Sequence, residues 1–186
     1  ALAQELAALG VQAAVPGFRA VSFEADARLA GELHLRLRTA SRLLRVVREV
    51  PAKNPPMLRS QVRRIRWHEL FDPRHSFAVE SLGGEETMPA KQVVTQVREA
   101  ILEAFERTGA QRPPVDPKEP RILVVAHLEH GRCTLCVDTT GKSLHKRGYR
   151  ESGHPAPLKE TLAAAILQLA GYDGSQFKGL LASDHD

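Results

Sequence analysis

The sequence predicts an α+β fold, and three observations carry that prediction. The first fifty residues alternate helical and extended patterns in the order helix–strand–strand–helix–strand. The segment "AKQVVTQVREAILEAFERTG" then carries Val94, Val97, Ile101, Ala104 and Phe105 at helical spacing and stops at Gly109. After it, "RILVVAHLEHGRCTLCVDTTG" reads as two strands about a turn near His130–Gly131. A chain of 186 residues can bury a real core, and 42% hydrophobic with 26% charged residues excludes a wholly disordered chain.

Each element has a local reason. Leu2, Leu6 and Leu9 share one face of an opening helix that Gly10 ends. "VQAAVPGFRAVSFE" reads as a hairpin with Pro16–Gly17 as its turn. Asp26 can cap a second helix with Leu29, Ala30, Leu33 and Leu37 on its apolar side. "RLLRVVREV" reads as a strand that completes a small sheet, so a first domain is expected over residues 1–52. "PAKNPPM" holds three prolines in seven residues and is expected to be a linker. "SQVRRIRWHEL" reads as a basic helix broken at Asp72–Pro73, "SFAVES" as a strand, Gly83–Gly84 as a turn and "PPVDPKEP" as a rigid loop. "SLHKRGYR" is expected to be extended and to close a second domain over 53–150. "PLKETLAAAILQLAGY" follows in 151–186 as a helix whose first turn holds Pro157.

The charge is unevenly spread. Between His34 and Arg74 stand eleven Lys or Arg against three acids, a net +8 where the whole chain is +4. Arginine outnumbers lysine nineteen to seven, and its planar fork suits phosphates and base edges better than an ammonium does. A nucleic-acid partner is therefore expected; codon bias toward arginine is the bland alternative. No apolar run reaches the length of a membrane span, because Gln168 interrupts the longest, "LAAAILQLA". Two cysteines suggest a reducing compartment, so a cytoplasmic location is expected. The chain opens without a methionine, and its natural start is expected to be missing.

Four motifs invite chemistry. His127, His130, Cys133 and Cys136 recur every three residues, but structural zinc sites pair knuckles across a longer spacer. On strands that spacing puts neighbours on opposite faces, so no metal is expected there. Cys133-x-x-Cys136 lacks the helix N-terminus that would activate a thiol. Asn54-Pro55-Pro56-Met57 resembles the Asn/Asp-Pro-Pro-aromatic turn of amino-group methyltransferases, but it lacks the aromatic and reads as linker. Trp67, in the basic helix, reads as a core anchor rather than a base-stacking platform.

Three stretches carry a resemblance. "IRWHELFDPRHSFAVES", the run from Lys91 through "SLHKRGYR" at 143–150, and "APLKETLAAAILQLAGY" are similar to the front part of the bacterial large-subunit rRNA guanine-N2-methyltransferases. Those enzymes place a ferredoxin-like N-terminal domain and a THUMP RNA-binding domain ahead of a Rossmann-like methyltransferase domain. The resemblance implies the same order here, with the third domain only begun. It implies that "SLHKRGYR" marks the junction of RNA reader and catalyst. Lys91, Arg98, Arg64, Arg66, His145, Lys146, Arg147, Tyr149 and Arg150 are the expected RNA-binding residues.

The departures from the family carry equal weight. After "GYDGSQ" the family has a strand and an Asp-Pro-x-Cys-Gly-Ser-Gly type loop for the methionine part of the cofactor. This sequence passes straight to "FKGLLASDHD", so Gln176 and Phe177 are expected to flank missing residues. That ending resembles the next strand, whose acid binds the cofactor ribose. By position the acid is Asp184, with Asp186 second, and Pro157 and Lys159 are expected to lie beside the S-adenosylmethionine pocket. No catalytic residue is assigned. The expectation is the RNA-recognition part of an S-adenosylmethionine-dependent rRNA methyltransferase acting on a guanine exocyclic amine; a stand-alone THUMP-type RNA-binding module without catalytic activity is the alternative.

Overall fold

A computed structural model describes residues 1–17, 20–85, 88–147 and 158–172. They fall into two compact units, one of Ala1–Leu43 with the chain from Lys142, the other Leu44–Gly141.

The first unit opens with α1 (Leu2–Ala8), a hairpin of β1 (Ala14–Gly17) and β2 (Ala20–Phe23), and α2 (Ala27–Arg36). Gly17 pairs with Ala20 and Pro16 with Val21, so the expected Pro16–Gly17 turn belongs instead to the strand. Asp26 caps α2 as expected, its carboxylate accepting the Leu29 N–H at 2.7 Å. Leu6, Val11, Leu33, Leu37 and Ala40 form the buried core, with Leu43 and Leu144 packed against it. A carboxylate reinforces this apolar packing. Glu5 on α1 is buried and accepts the backbone N–H groups of Arg38 at 2.8 Å and Thr39 at 2.9 Å, and the Thr39 hydroxyl at 2.6 Å. Such charge-assisted bonds fix the chain as it leaves α2.

The second unit is a four-stranded sheet in the order β3-β6-β5-β4, from β3 (Leu44–Pro51), β4 (Phe77–Gly83), β5 (Ile122–Glu129) and β6 (Arg132–Asp138). Strand β3, grouped by sequence with the first domain, hydrogen-bonds antiparallel to β6. Local pattern identifies a strand but not its partner, since pairing is non-local. β4 and β5 are parallel and joined through the long helix α4 (Ala90–Glu106). β5 and β6 form the expected hairpin, and His130 (φ 50°) with Gly131 (φ 69°) supplies the two left-handed residues of a tight hairpin turn.

The "linker" is α3 (Pro55–Val62). Asn54 accepts the Met57 N–H at 2.9 Å and Pro55 occupies the first turn, where a missing N–H costs nothing. The expected basic helix therefore starts earlier and ends at Val62. Trp67 sits instead in a separate 3-10 turn (Trp67–Glu69), fully buried, and its indole N–H donates to the Val62 carbonyl at 3.0 Å. The same carbonyl at the end of α3 also accepts the Ile65 N–H at 3.1 Å, so the indole ties Trp67 to the terminus of that helix. Trp67 is thus the expected core anchor.

Helices α3 and α4 cover one face of the sheet. Leu58, Val62, Val97, Ile101 and Phe105 meet Val50, Phe77, Val124, Ala126, Leu128, Cys133 and Leu135 in a continuous core. Val93, not Val94, heads the buried stripe of α4. At the end of β4 Gly83 has φ +88°, and a Cβ there would meet the Leu128 carbonyl oxygen at 2.8 Å. Only glycine fits that position.

Residues 143–146 form a turn rather than an extended segment, closed by the Lys146 N–H donating to the Ser143 carbonyl at 2.8 Å. Leu144 N–H and the Ser143 hydroxyl both donate to the Ser41 carbonyl, at 2.9 and 3.0 Å, and these bonds hold the turn in the first unit. Helix α5 (Glu160–Leu169) begins after Lys159. Pro157 precedes it, outside the described residues.

Candidate nucleic-acid interface

Ion pairing divides the basic stretch into structural and free arginines. Arg59 of α3 donates through Nε to Glu103 of α4 at 3.0 Å and also through Nη2, while Arg63 approaches the other carboxylate oxygen at 3.6 Å. The Arg59 hydrogen bond holds the Glu103 carboxyl below its usual range and raises the guanidinium. Arg74 is bound to Asp72, whose carboxyl falls to about 2 chiefly through that hydrogen bond, and Arg38 lies 3.8 Å from Glu5. In contrast, Arg36, Arg45, Arg48, Lys53 and Arg64 have no side-chain hydrogen bond or ion pair among the described residues.

Two of these free arginines share a cavity. A hollow of about 160 Å³ is lined by Val47, Arg48, Arg64, Ile65, Arg66, Glu69 and Leu70. The elements that build it are local. A β-bulge interrupts the β3–β6 register between Val46 and Arg48, and bulges re-aim side chains; here Val47 and Arg48 line the same hollow. On the other side Ile65 is buried, and the arginines flanking it stand exposed at the rim. Arg66 is held by Glu69, Nη1 to Oε1 2.7 Å. The expected pair Arg64 and Arg66 is thus brought together with Arg48, which sequence reasoning missed. Its only signal was a basic residue in a strand otherwise rich in valine.

The remaining expected RNA-binding residues belong to other elements or lie outside the described residues. Lys91 is exposed in the first turn of α4 without a side-chain partner among the described residues. Arg98 donates to Glu99 through both Nε and Nη2, at 3.1 and 3.0 Å. In the first unit His145 Nδ1 lies 2.7 Å from the Ser143 hydroxyl, and Lys146 is exposed. Arg147 is committed to backbone. Its Nε donates to Leu144 O at 3.1 Å, Nη1 to Leu35 O at 2.5 Å, and Nη2 to His34 O at 3.2 Å and Leu37 O at 2.6 Å. These bonds satisfy carbonyls around the C-terminal end of α2, as a cation there should. Tyr149, Arg150, Pro157, Asp184 and Asp186 lie outside the described residues.

The cysteines are buried on opposite faces of β6. Cys133 packs in the main core and Cys136 pairs across the sheet with Val125 and Val46. Burial pushes their thiols up, to about 12 and about 11. Among the described residues no three His, Cys, Asp or Glu come together as a metal site. Of the expected cofactor residues only Lys159 is described, exposed at the head of α5, and one exposed lysine makes no pocket. No helix among the described residues is long and apolar enough to cross a membrane.

Comparison with known proteins meets this geometry. Residues 1–44 match the RlmL ferredoxin-like domain, 52–138 the THUMP domain, and 147–177 the RMKL-like methyltransferase domain. The chain is 36% identical to the ribosomal RNA large subunit methyltransferase K/L of Vibrio campbellii, over 94% of this chain and 25% of that protein. It is 37% identical to the protein of the same name from Pseudomonas syringae pv. tomato, over 92% of this chain and 23% of that protein. The chain therefore spans about a quarter of the length of these relatives. Among solved structures it resembles SMU.472 complexed with SAH (TM-score 0.74, 26% identity, 89% of this chain and 44% of that one). It also resembles TrmN from Thermus thermophilus (TM-score 0.66, 26% identity, 91% of this chain and 50% of that one). The chain thus carries, in order, an RlmL ferredoxin-like domain, a THUMP domain and part of an RMKL-like methyltransferase domain, and it is similar to proteins named ribosomal RNA large subunit methyltransferase K/L.

Proposed function

We propose that this chain is the RNA-recognition portion of a cytoplasmic, S-adenosylmethionine-dependent rRNA methyltransferase that modifies the exocyclic N2 of a guanine. The observation that carries the reading is the THUMP match over 52–138, followed in the same chain by a methyltransferase-domain match at 147–177. That second match favours an attached catalyst over a stand-alone binding module. The described residues bind and position RNA. The base must leave its stack to reach a methyltransferase pocket, and a reader that grips the backbone nearby holds the strand while it does. Asp184 with Pro157 and Lys159 is the proposed contribution of this chain to the cofactor site, Asp184 through its carboxylate on the ribose hydroxyls. S-adenosylmethionine supplies the methyl group.

The test is methyl transfer by the full-length protein carrying this chain. Incubation with unmodified large-subunit rRNA and labelled S-adenosylmethionine should yield N2-methylguanosine on nucleoside mass spectrometry. Methylation of another base would refute the guanine assignment, and no RNA labelling at all would refute the enzyme reading.

A further inference from the structure

The hollow beside β3 has a composition that the general reading leaves unexplained. Arg48, Arg64 and Arg66 line it together with the apolar residues Val47, Ile65 and Leu70. Arg48 and Arg64 have no partner among the described residues, although Glu49 next to Arg48 is itself paired, with Arg132. Unpaired arginines gathered at one hollow repel one another, an arrangement that an anion would relieve. Arginine forks match phosphate oxygens, and apolar residues in the lining suit a ribose or base edge better than a hydrated free anion. Glu69 occupies the position of a competing anion, holding Arg66 at 2.7 Å.

We propose that Arg48, Arg64 and Arg66 form a phosphate-binding rim that grips the backbone of single-stranded RNA, with Glu69 as an internal counter-anion that the phosphate displaces from Arg66. This inference rests on the reading of the chain as an RNA-recognition unit, and adds where in the THUMP unit the strand is held. An incoming phosphate shares or replaces the carboxylate on Arg66, so the site discriminates by charge against weakly anionic ligands.

The test is fluorescence-anisotropy titration of a labelled single-stranded RNA oligonucleotide with the 186-residue chain and its variants. Arg48→Glu with Arg64→Glu should weaken binding at least about tenfold and flatten the salt slope by about 0.7 for each phosphate no longer neutralised. Lys118→Glu with Arg121→Glu makes the same charge change elsewhere on this unit, and should weaken binding much less. Glu69→Gln should tighten binding by about two- to threefold, a gain that misfolding cannot mimic. Arg48→Gln with Arg64→Gln removes the same charges without introducing acids. Wild-type chain that binds RNA while both arginine pairs behave like the Lys118/Arg121 control would overturn the site alone. Unchanged or weaker binding by Glu69→Gln would overturn the displacement of Glu69. Wild-type chain that binds no RNA would overturn the site and the reading beneath it.

Discussion

Arg147 donates to the backbone carbonyl of Leu37, 110 residues earlier in the chain, at 2.6 Å. With its bonds to His34, Leu35 and Leu144, this makes a side chain that sequence places at an RNA junction into the cap of α2. Arg147→Ala should cost about 1–2 kcal/mol, the order of one or two net hydrogen bonds, and Arg147→Lys should recover little because an ammonium cannot span the fork. Denaturant titration of both variants checks this. Lys146→Ala, one residue earlier and exposed, should leave the midpoint unchanged.

Glu5 carries a comparable weight in the same unit, holding the chain just past α2. Glu5→Ala leaves the N–H groups of Arg38 and Thr39 and the Thr39 hydroxyl without their acceptor. Destabilisation of about 1–3 kcal/mol is expected, since partly buried donors are deprived of a charge-assisted acceptor. Thermal unfolding, read beside Glu32→Ala on the exposed face of α2, measures it.

The bond between Arg59 and Glu103 makes part of the second unit's stability pH-dependent. Glu103 has a folded pKa below its unfolded one, so its contribution is present above the ordinary glutamate range and is lost as pH falls through the depressed value. Glu103→Gln should therefore be destabilised near neutral pH by about 1 kcal/mol, the scale of a partly exposed ion pair. The difference from wild type should vanish in strong acid. Urea unfolding across that range decides it.

Local signals were legible where the physics is local. The α4 stripe, the Asp26 cap and the His130–Gly131 turn each depend on neighbours a few residues away, and the sequence shows them. The Asn54–Pro55 start of α3 was equally local, but three prolines masked a helix-entry signal as a linker. What sequence could not show is who meets whom. β3 finds β6 across some eighty intervening residues, and Glu5 and Arg147 reach backbone groups 33 and 110 positions away. The site was half legible for the same reason. Arg64 and Arg66 lie in one short basic run, whereas Arg48 joins them only through a bulge.

The cysteines give a chemical check on the sheet. With thiols raised to about 12 and about 11 by burial, both should resist alkylation by iodoacetamide near pH 8 in the folded chain and react fully once unfolded. Their neutral form adds stability below the ordinary thiol range, and that stability should fall as pH rises toward the folded values. Mass spectrometry of timed quenches counts the adducts.

If the chain holds RNA through fixed positive charge, as proposed, its RNA affinity must fall with salt. For the 186-residue chain and a single-stranded rRNA fragment, log affinity should fall linearly with log salt, with a slope steeper than about −1. Binding that is absent, or that does not change with salt, would rule out RNA recognition through these charges.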